Sequence, residues 1–227
     1  MAKTTRANIT GKPWVALFDL DGTLTWRDTL LPFLAGFLQR RPHRVLGLWR
    51  LPWALAGYWR DRDHGILKSR VIRMLMKGER RELLDAWADA FVNDLKPKGR
   101  FRPLALAILE THRAAGDHNV LLSASPDLYV KRIGSLLGFE RTLCTELEWL
   151  GDRLDGHLKT ENRRGEEKLR CLNWLREQYP GMPIIAYGNS ASDLDHMRAA
   201  DRALLVNGDS AARRLAAKWN IEVSSWT

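Results

Sequence analysis

Residues 14–18 form an apolar run that stops abruptly at Asp19-Leu20-Asp21-Gly22-Thr23-Leu24. Apolar residues without alternation suit a strand buried on both faces, the usual condition of a parallel sheet. Two carboxylates so close together at the end of such a strand repel each other unless a cation joins them. An Asp-Gly turn accounts for the glycine. It accounts neither for Thr23 nor for the buried strand that leads into the acids.

Further along, strand and helix alternate. Residues 103–115 read as a helix closed by Gly116, 118–122 as a strand running into Ser123-Ala124-Ser125-Pro126, and 127–137 as a helix in which Ser125 is a candidate cap. Within 143–158 two short strands around Gly151-Asp152 predict a hairpin. Residues 165–178 are helical, and 183–187 form a strand that meets Gly188-Asn189-Ser190-Ala191-Ser192-Asp193. A helical turn or two at 194–200, a strand at 203–206 and a helix at 210–219 complete the pattern. The fold class predicted is therefore α/β: a Rossmann-like, mostly parallel sheet flanked by helices. In such sheets ligands gather at the carboxyl ends of strands, where Asp19, Ser123 and Asn189 all fall.

Residues 26–96 break this alternation. They are rich in Leu, Arg, Trp and Ala with helical periodicity, and Pro32, Pro42, Pro52, Gly65 and Gly78 punctuate them. An inserted all-helical segment is expected there, with the stretch from Lys96 to Arg100 as the hinge, so that residues 1–25 and 97–227 make one core. A chain of 227 residues is long enough for this division. Cys144 and Cys171 are the only cysteines. Neither sits in a close pair or beside a histidine cluster, which argues against a disulfide framework and a structural zinc site and for a reducing cytosol. Residues 1–10 lack the apolar stretch of a secretory signal. The most membrane-like stretch, 45–59, is too short to span and is interrupted by Arg50 and Pro52. The expected location is cytoplasmic, or peripheral to the inner face of the membrane.

The order of the polar clusters resembles that of the haloacid dehalogenase-like hydrolase superfamily, whose first motif is Asp-x-Asp-x-Thr after a hydrophobic strand. Asp19, Asp21 and Thr23 fit it at every position. The resemblance implies that Asp19 is a nucleophile carrying an aspartyl-phosphate. Asp21 would protonate the leaving oxygen, later activate water, and offer its backbone carbonyl to Mg²⁺. Ser123 falls at the second motif, where a hydroxyl binds a phosphoryl oxygen. Lys168, three residues after Gly165, falls at the third in the Gly-x-x-Lys form of the phosphoserine phosphatase branch, and Asp193 at the fourth. Asn189 departs from the usual acid. An amide oxygen still ligates Mg²⁺, but without a full charge. The implied metal set is Asp19, Asp21, Asn189 and Asp193.

In that family an insert after the first motif forms a helical cap that selects substrates. Matching to phosphoserine phosphatases puts Asp28 and Lys68, with Arg70 close by, at substrate-binding positions. Asp is shorter than Glu there, and Lys lacks the two-pronged fit of Arg to a carboxylate. The implied substrate is a small phosphorylated metabolite, phosphoserine-like, or a phospholipid headgroup. The cap stretch also resembles that of bacterial phosphatidylglycerophosphate phosphatases.

Net charge is +9, and between Arg40 and Arg81 twelve Lys or Arg face three Asp or Glu, so the rest of the chain balances. This basic segment carries Trp49, Trp53 and Trp59. Trp and Arg together favour the interface of an anionic membrane; cap helices packing on one another with their arginines in water is the other reading. No nucleic-acid motif accompanies the charge, so no nucleic-acid partner is expected. The alternative to an enzyme is a non-catalytic protein that binds a phosphoryl ligand or an anionic membrane with the same fold, a reading Asn189 motivates.

Overall fold

The structure, a computed structural model, describes residues 13–226; what the sequence predicts for residues 1–10 lies outside the described residues. The first strand, β1 (Val15–Phe18), is buried along its whole length. Its alternate side chains feed two different cores, as a central strand requires. Val15 and Leu17 join Cys171, Leu172 and Leu175 on one face. Ala16 and Phe18 join Leu109, Tyr129 and Ile133 on the other.

The remaining strands of this sheet are β2 (His118–Pro126), β3 (Arg141–Thr145), β6 (Ile184–Gly188), β7 (Arg202–Val206) and β8 (Glu222–Ser224). Their spatial order is β3-β2-β1-β6-β7-β8, and every pair is parallel. The strand order reverses at β1, which therefore opens a crevice at its carboxyl end. Phe18 is in register with Leu121 on one side and Tyr187 on the other. Asp19, the residues after Leu121 and the residues after Tyr187 thus share one edge of the sheet. The connecting helices are α5 (Pro103–Ala114), α6 (Asp127–Leu137), α7 (Glu166–Gln178), α8 (Leu194–Ala199) and α9 (Ser210–Lys218). Gly138, at φ 69°, ends α6 in the left-handed conformation that glycine tolerates best.

The insert is helical: α1 (Leu30–Arg40), a 3₁₀ stretch (Pro42–Arg50), α2 (Leu51–Asp61), α3 (His64–Met76) and α4 (Arg81–Leu95). The two chain crossings that join it to the sheet domain run side by side. Thr25 bridges Phe101, and Trp26 N–H donates to the Arg100 carbonyl at 3.1 Å. Aromatic packing fixes the insert from within. The Phe33 ring lies 5.6 Å from Trp87, 5.2 Å from Phe91 and 4.6 Å from Tyr129 of α6, centroid to centroid. Arg132 of α6 adds ion pairs to Asp85 and Asp89 of α4 at 2.8 and 2.5 Å.

The region 143–158 holds more than the predicted hairpin. Its first residues belong to β3 in the main sheet, and the hairpin proper is β4 (Leu147–Leu150) with β5 (Arg153–Leu158). That hairpin leaves the sheet to pack on α3, where the Ser69 hydroxyl donates to the Gly156 carbonyl at 3.0 Å. The short strand β8 spans three residues, too few for their alternation to mark a strand, and pairing with β7 creates it. Strand β2 continues past Leu122 to Pro126, with a register shift after Ser123. Among the described residues no helix is long and apolar enough to cross a membrane.

Candidate active site

The carboxyl edge of β1, β2 and β6 floors a cavity of about 570 Å³, roofed by the start of α1 and one face of α3. Asp19 continues β1, with its N–H donating to the Tyr187 carbonyl at 2.9 Å. Gly22, at φ 86°, lets the chain turn beneath Asn189; a Cβ at Gly22 would stand 2.0 Å from the Asn189 amide nitrogen. The Asp19 side chain is thereby held at the floor, and its Oδ2 accepts from the Thr23 hydroxyl at 3.1 Å.

Lys168, two per cent exposed on the first turn of α7, reaches both acids of the floor. Its ammonium lies 2.5 Å from Asp19 Oδ1 and 2.7 Å from Asp193 Oδ1. The second oxygen of Asp193 accepts from the Ser190 hydroxyl at 2.7 Å and from the Ser190 and Asn189 N–H groups. Gly188 leaves room for Asp193, whose Cβ would be 2.7 Å from any Cβ placed there. Asp21 is held separately. Its Oδ1 accepts from the Thr29 hydroxyl at 2.7 Å and N–H at 2.8 Å, and its Oδ2 from the Ser125 hydroxyl at 2.6 Å. The Tyr129 hydroxyl meets Thr29 at 3.0 Å and so links this loop to the aromatic cluster of the insert.

Burial dominates the electrostatics. It pushes the Asp19 carboxyl up to about 7, against the pull of the Lys168 ammonium. Burial also raises Asp21, while Ser125 and Thr29 hold it down. Burial opposes ionisation of Asp193 too, but the Lys168 charge together with the hydrogen bonds from Lys168 and Ser190 draws it below the usual carboxylate range. With all three ionised, buried Asp19 and Asp193 and half-buried Asp21 exceed the one buried ammonium by two negative charges, the amount a divalent cation neutralises. With the Asn189 amide and the Asp21 main chain at the same edge, the donors are all oxygens, which suits a hard cation such as Mg²⁺. Glu148, Asp155 and His157 also approach one another, on the β4–β5 hairpin outside this cavity. Asp155 is already paired there with Lys77 at 2.9 Å and His157 at 3.0 Å.

Cations also line the cavity: Arg27 before α1, Lys68 on α3 and Arg164 before α7, beside an apolar wall of Leu30, Leu34, Leu67 and Val71. The Lys68 ammonium donates to the Ala124 carbonyl and, at 2.7 Å, to Asn162 Oδ1. Burial lowers Lys68 to about 8. Asp28 lines the mouth and caps α1 by accepting the Leu31 N–H at 3.0 Å. Arg70 does not come to the cavity. Two residues from Lys68 on one helix, it points about 200° away and lines a groove with Trp49, Trp53 and Met74. Ser123 lies just beneath the floor, where its Oγ accepts the Ser125 N–H at 3.0 Å. Asp19, Asp21, Lys168, Asn189 and Asp193 all line the cavity. Thr29, Asn162 and Arg164 escaped the sequence reading, as did the bond from Ser125 to Asp21. None of them has a spacing that marks it; only tertiary contact brings them to the acids.

This arrangement on a parallel α/β sheet with a helical insert defines a haloacid dehalogenase-like hydrolase. The model of that family matches residues 16–198, and the chain belongs to it. Protein CicA of Caulobacter vibrioides is 34% identical over 193 residues, 84% of each chain. A protein of unknown function from Bordetella pertussis Tohama I shares the fold at a TM-score of 0.78 and 22% identity, covering 95% of this chain and all of that one. A phospho-aspartyl intermediate analogue of phosphoserine phosphatase shares it at 0.65 and 17%, covering 95% of this chain and 94% of that one.

Proposed function

We propose that this chain is a Mg²⁺-dependent phosphomonoesterase that works through an aspartyl-phosphate on Asp19. The observation that carries the reading is the Lys168 bridge between Asp19 and Asp193 at the floor of a roofed cavity, with Asp21 held apart by Ser125 and Thr29. The fold shared with a phospho-aspartyl intermediate analogue supports it. An oxygen of Asp19 attacks phosphorus and the ester P–O bond breaks. The departing oxygen takes its proton from Asp21, a carboxyl that burial disposes to hold one. Asp21 then accepts a proton from water, the water oxygen attacks phosphorus, and the bond to Asp19 breaks to release inorganic phosphate. Lys168 balances charge on the transferring group, and Ser123 acts from beneath the floor, where its Oγ holds the Ser125 N–H. Asp19, the Asp21 carbonyl, Asn189 and Asp193 would hold Mg²⁺, which neutralises the repulsion between the carboxylate and the phosphate dianion.

The ester is that of a small metabolite or of a lipid headgroup, both of which present the same dianion. The leaving group lies between Lys68 and Asp28 and the apolar wall. The test is release of phosphate from a panel of soluble esters, with Mg²⁺ and with a chelator. Wild type turns over only with the metal, and Asp19→Asn loses on the order of a thousandfold or more while staying folded. Metal-independent turnover, or an active Asp19→Asn variant, overturns the mechanism. Asn189 favours a second reading, a phosphoryl-ligand binder without turnover. Beryllium fluoride distinguishes the two, because only a competent nucleophile with bound Mg²⁺ forms its aspartyl adduct.

A further inference from the structure

The 3₁₀ stretch and α2 are packed inside out. Their small residues face α3: Ala54 is three per cent exposed, a Cβ at Gly47 would come 2.3 Å from the Met74 carbonyl, and one at Gly57 would come 2.0 Å from the Arg70 guanidinium. Their largest apolar residues face solvent: Leu46 is 77% exposed, Trp49 66%, Trp53 75% and Trp59 77%. Helices in a water-soluble cap turn such residues inward, and an exposed cluster of this size marks a binding surface. Arg50, Arg60 and Arg62 are exposed around it, and the Arg50 guanidinium lies 5.0 Å from the Trp49 ring.

We propose that this face docks on the surface of an anionic lipid bilayer, with Trp49, Trp53 and Trp59 in the headgroup layer and the arginines against lipid phosphates. Indole is at home at that depth, having an apolar ring and a polar N–H. The charge selects this occupant. A second copy of the chain would set one arginine cluster against another, whereas an anionic bilayer offers both the opposite charge and an apolar interior. The face also adjoins the catalytic cavity. Tyr58, next to Trp59, meets His64 at 3.3 Å, and His64 lines the cavity mouth together with Leu31, itself 70% exposed. Docking through α2 therefore brings the mouth close to the headgroups. The proposal concerns binding and holds whether or not the site turns over.

The experiment is co-sedimentation of the full chain with vesicles of phosphatidylcholine alone and of phosphatidylcholine with a third phosphatidylglycerol. Wild type should bind the anionic vesicles at least tenfold more strongly than the neutral ones, less so at high salt, and brominated lipid should quench its tryptophan fluorescence. Trp53→Ala/Trp59→Ala should lower the partition coefficient about tenfold, and Arg50→Gln about fivefold. Thermal melts verify that the variants fold, and hydrolysis of a soluble ester should be unchanged in them. Wild type remaining in the supernatant with both vesicles overturns the proposal, and that result does not depend on any variant. Equal binding by wild type and the tryptophan variant also overturns it. So does concentration-dependent self-association that the same variant abolishes, because the face would then belong to a second copy.

Discussion

The ammonium of Lys168 lies 2.5 Å from Oδ1 of Asp19 although 149 residues separate them. One residue sits on the first turn of a helix and the other at the end of the central strand, so only the completed sheet brings them together. Both are buried, and the pair depends on the other carboxylates around it. Replacing Lys168 by Met leaves Asp19 and Asp193 without their cation. The expected cost is about 3–5 kcal/mol of stability at neutral pH, read from urea unfolding in a chelator. Adding Asp19→Asn to Lys168→Met should recover part of that loss, since it removes one of the stranded charges.

Ser125 supports Asp21 through a 2.6 Å bond to Oδ2. That bond favours the ionised acid and holds its protonation equilibrium down. Ser125→Ala removes it, so the carboxyl should titrate at higher pH. The alkaline limb of the pH–rate profile, where the proton donor is lost, should move upward. The turnover rate should fall about tenfold as Asp21 loses its orientation. A drop in rate with an unmoved profile would contradict this role.

Lys68 spends two of its three N–H donors on Ala124 and Asn162, and the third is available to a substrate. Because burial lowers it to about 8, the ammonium is charged below that pH and neutral above it. KM for an anionic ester should therefore rise as pH passes about 8, with little change in kcat. Lys68→Met should raise KM about tenfold at pH 7 and flatten this rise.

Asp127, at the start of α6, is pushed up to about 6, mainly by burial. Between its unfolded value of 3.8 and about 6 the folded protein holds a proton that the unfolded chain has released. Stability from this group therefore falls as pH climbs through that window, and the cost is complete above it. Asp127→Asn keeps an acceptor for the Leu147 N–H, 3.3 Å away. It should stabilise the protein by about 1–3 kcal/mol at pH 7, less whatever the α6 dipole returns to the ionised acid. Below pH 4 it should have no effect. Thermal melts at both pH values check the difference.

Much of the site was legible because strand ends announce themselves. Asp19 and Asn189 each close an apolar run, Asp193 lies four residues beyond Asn189, and Lys168 follows a glycine at a helix start. The partners of Asp21 were not legible. Ser125 lies 104 residues from it, and a serine before a helix reads as a cap. Arg70 is near Lys68 in sequence, but two residues along a helix turn its side chain to another face. Residues 143–158 resolve into three short strands, because which sheet a strand joins depends on the neighbours it meets.

The linear pattern of apolar runs, helices and acids was enough to determine a parallel sheet with a helical insert and a row of oxygen donors along one edge. These follow from local periodicity and from the rule that buried strands end at the crevice. The tertiary structure decided the pairing of Lys168 with two acids, the capture of Asp21 by Thr29 and Ser125, and the outward turn of Trp53 and Trp59. Each depends on contacts between segments far apart in the chain. The free energy of such contacts comes from burial and charge in a shared space, and residue spacing carries no record of it.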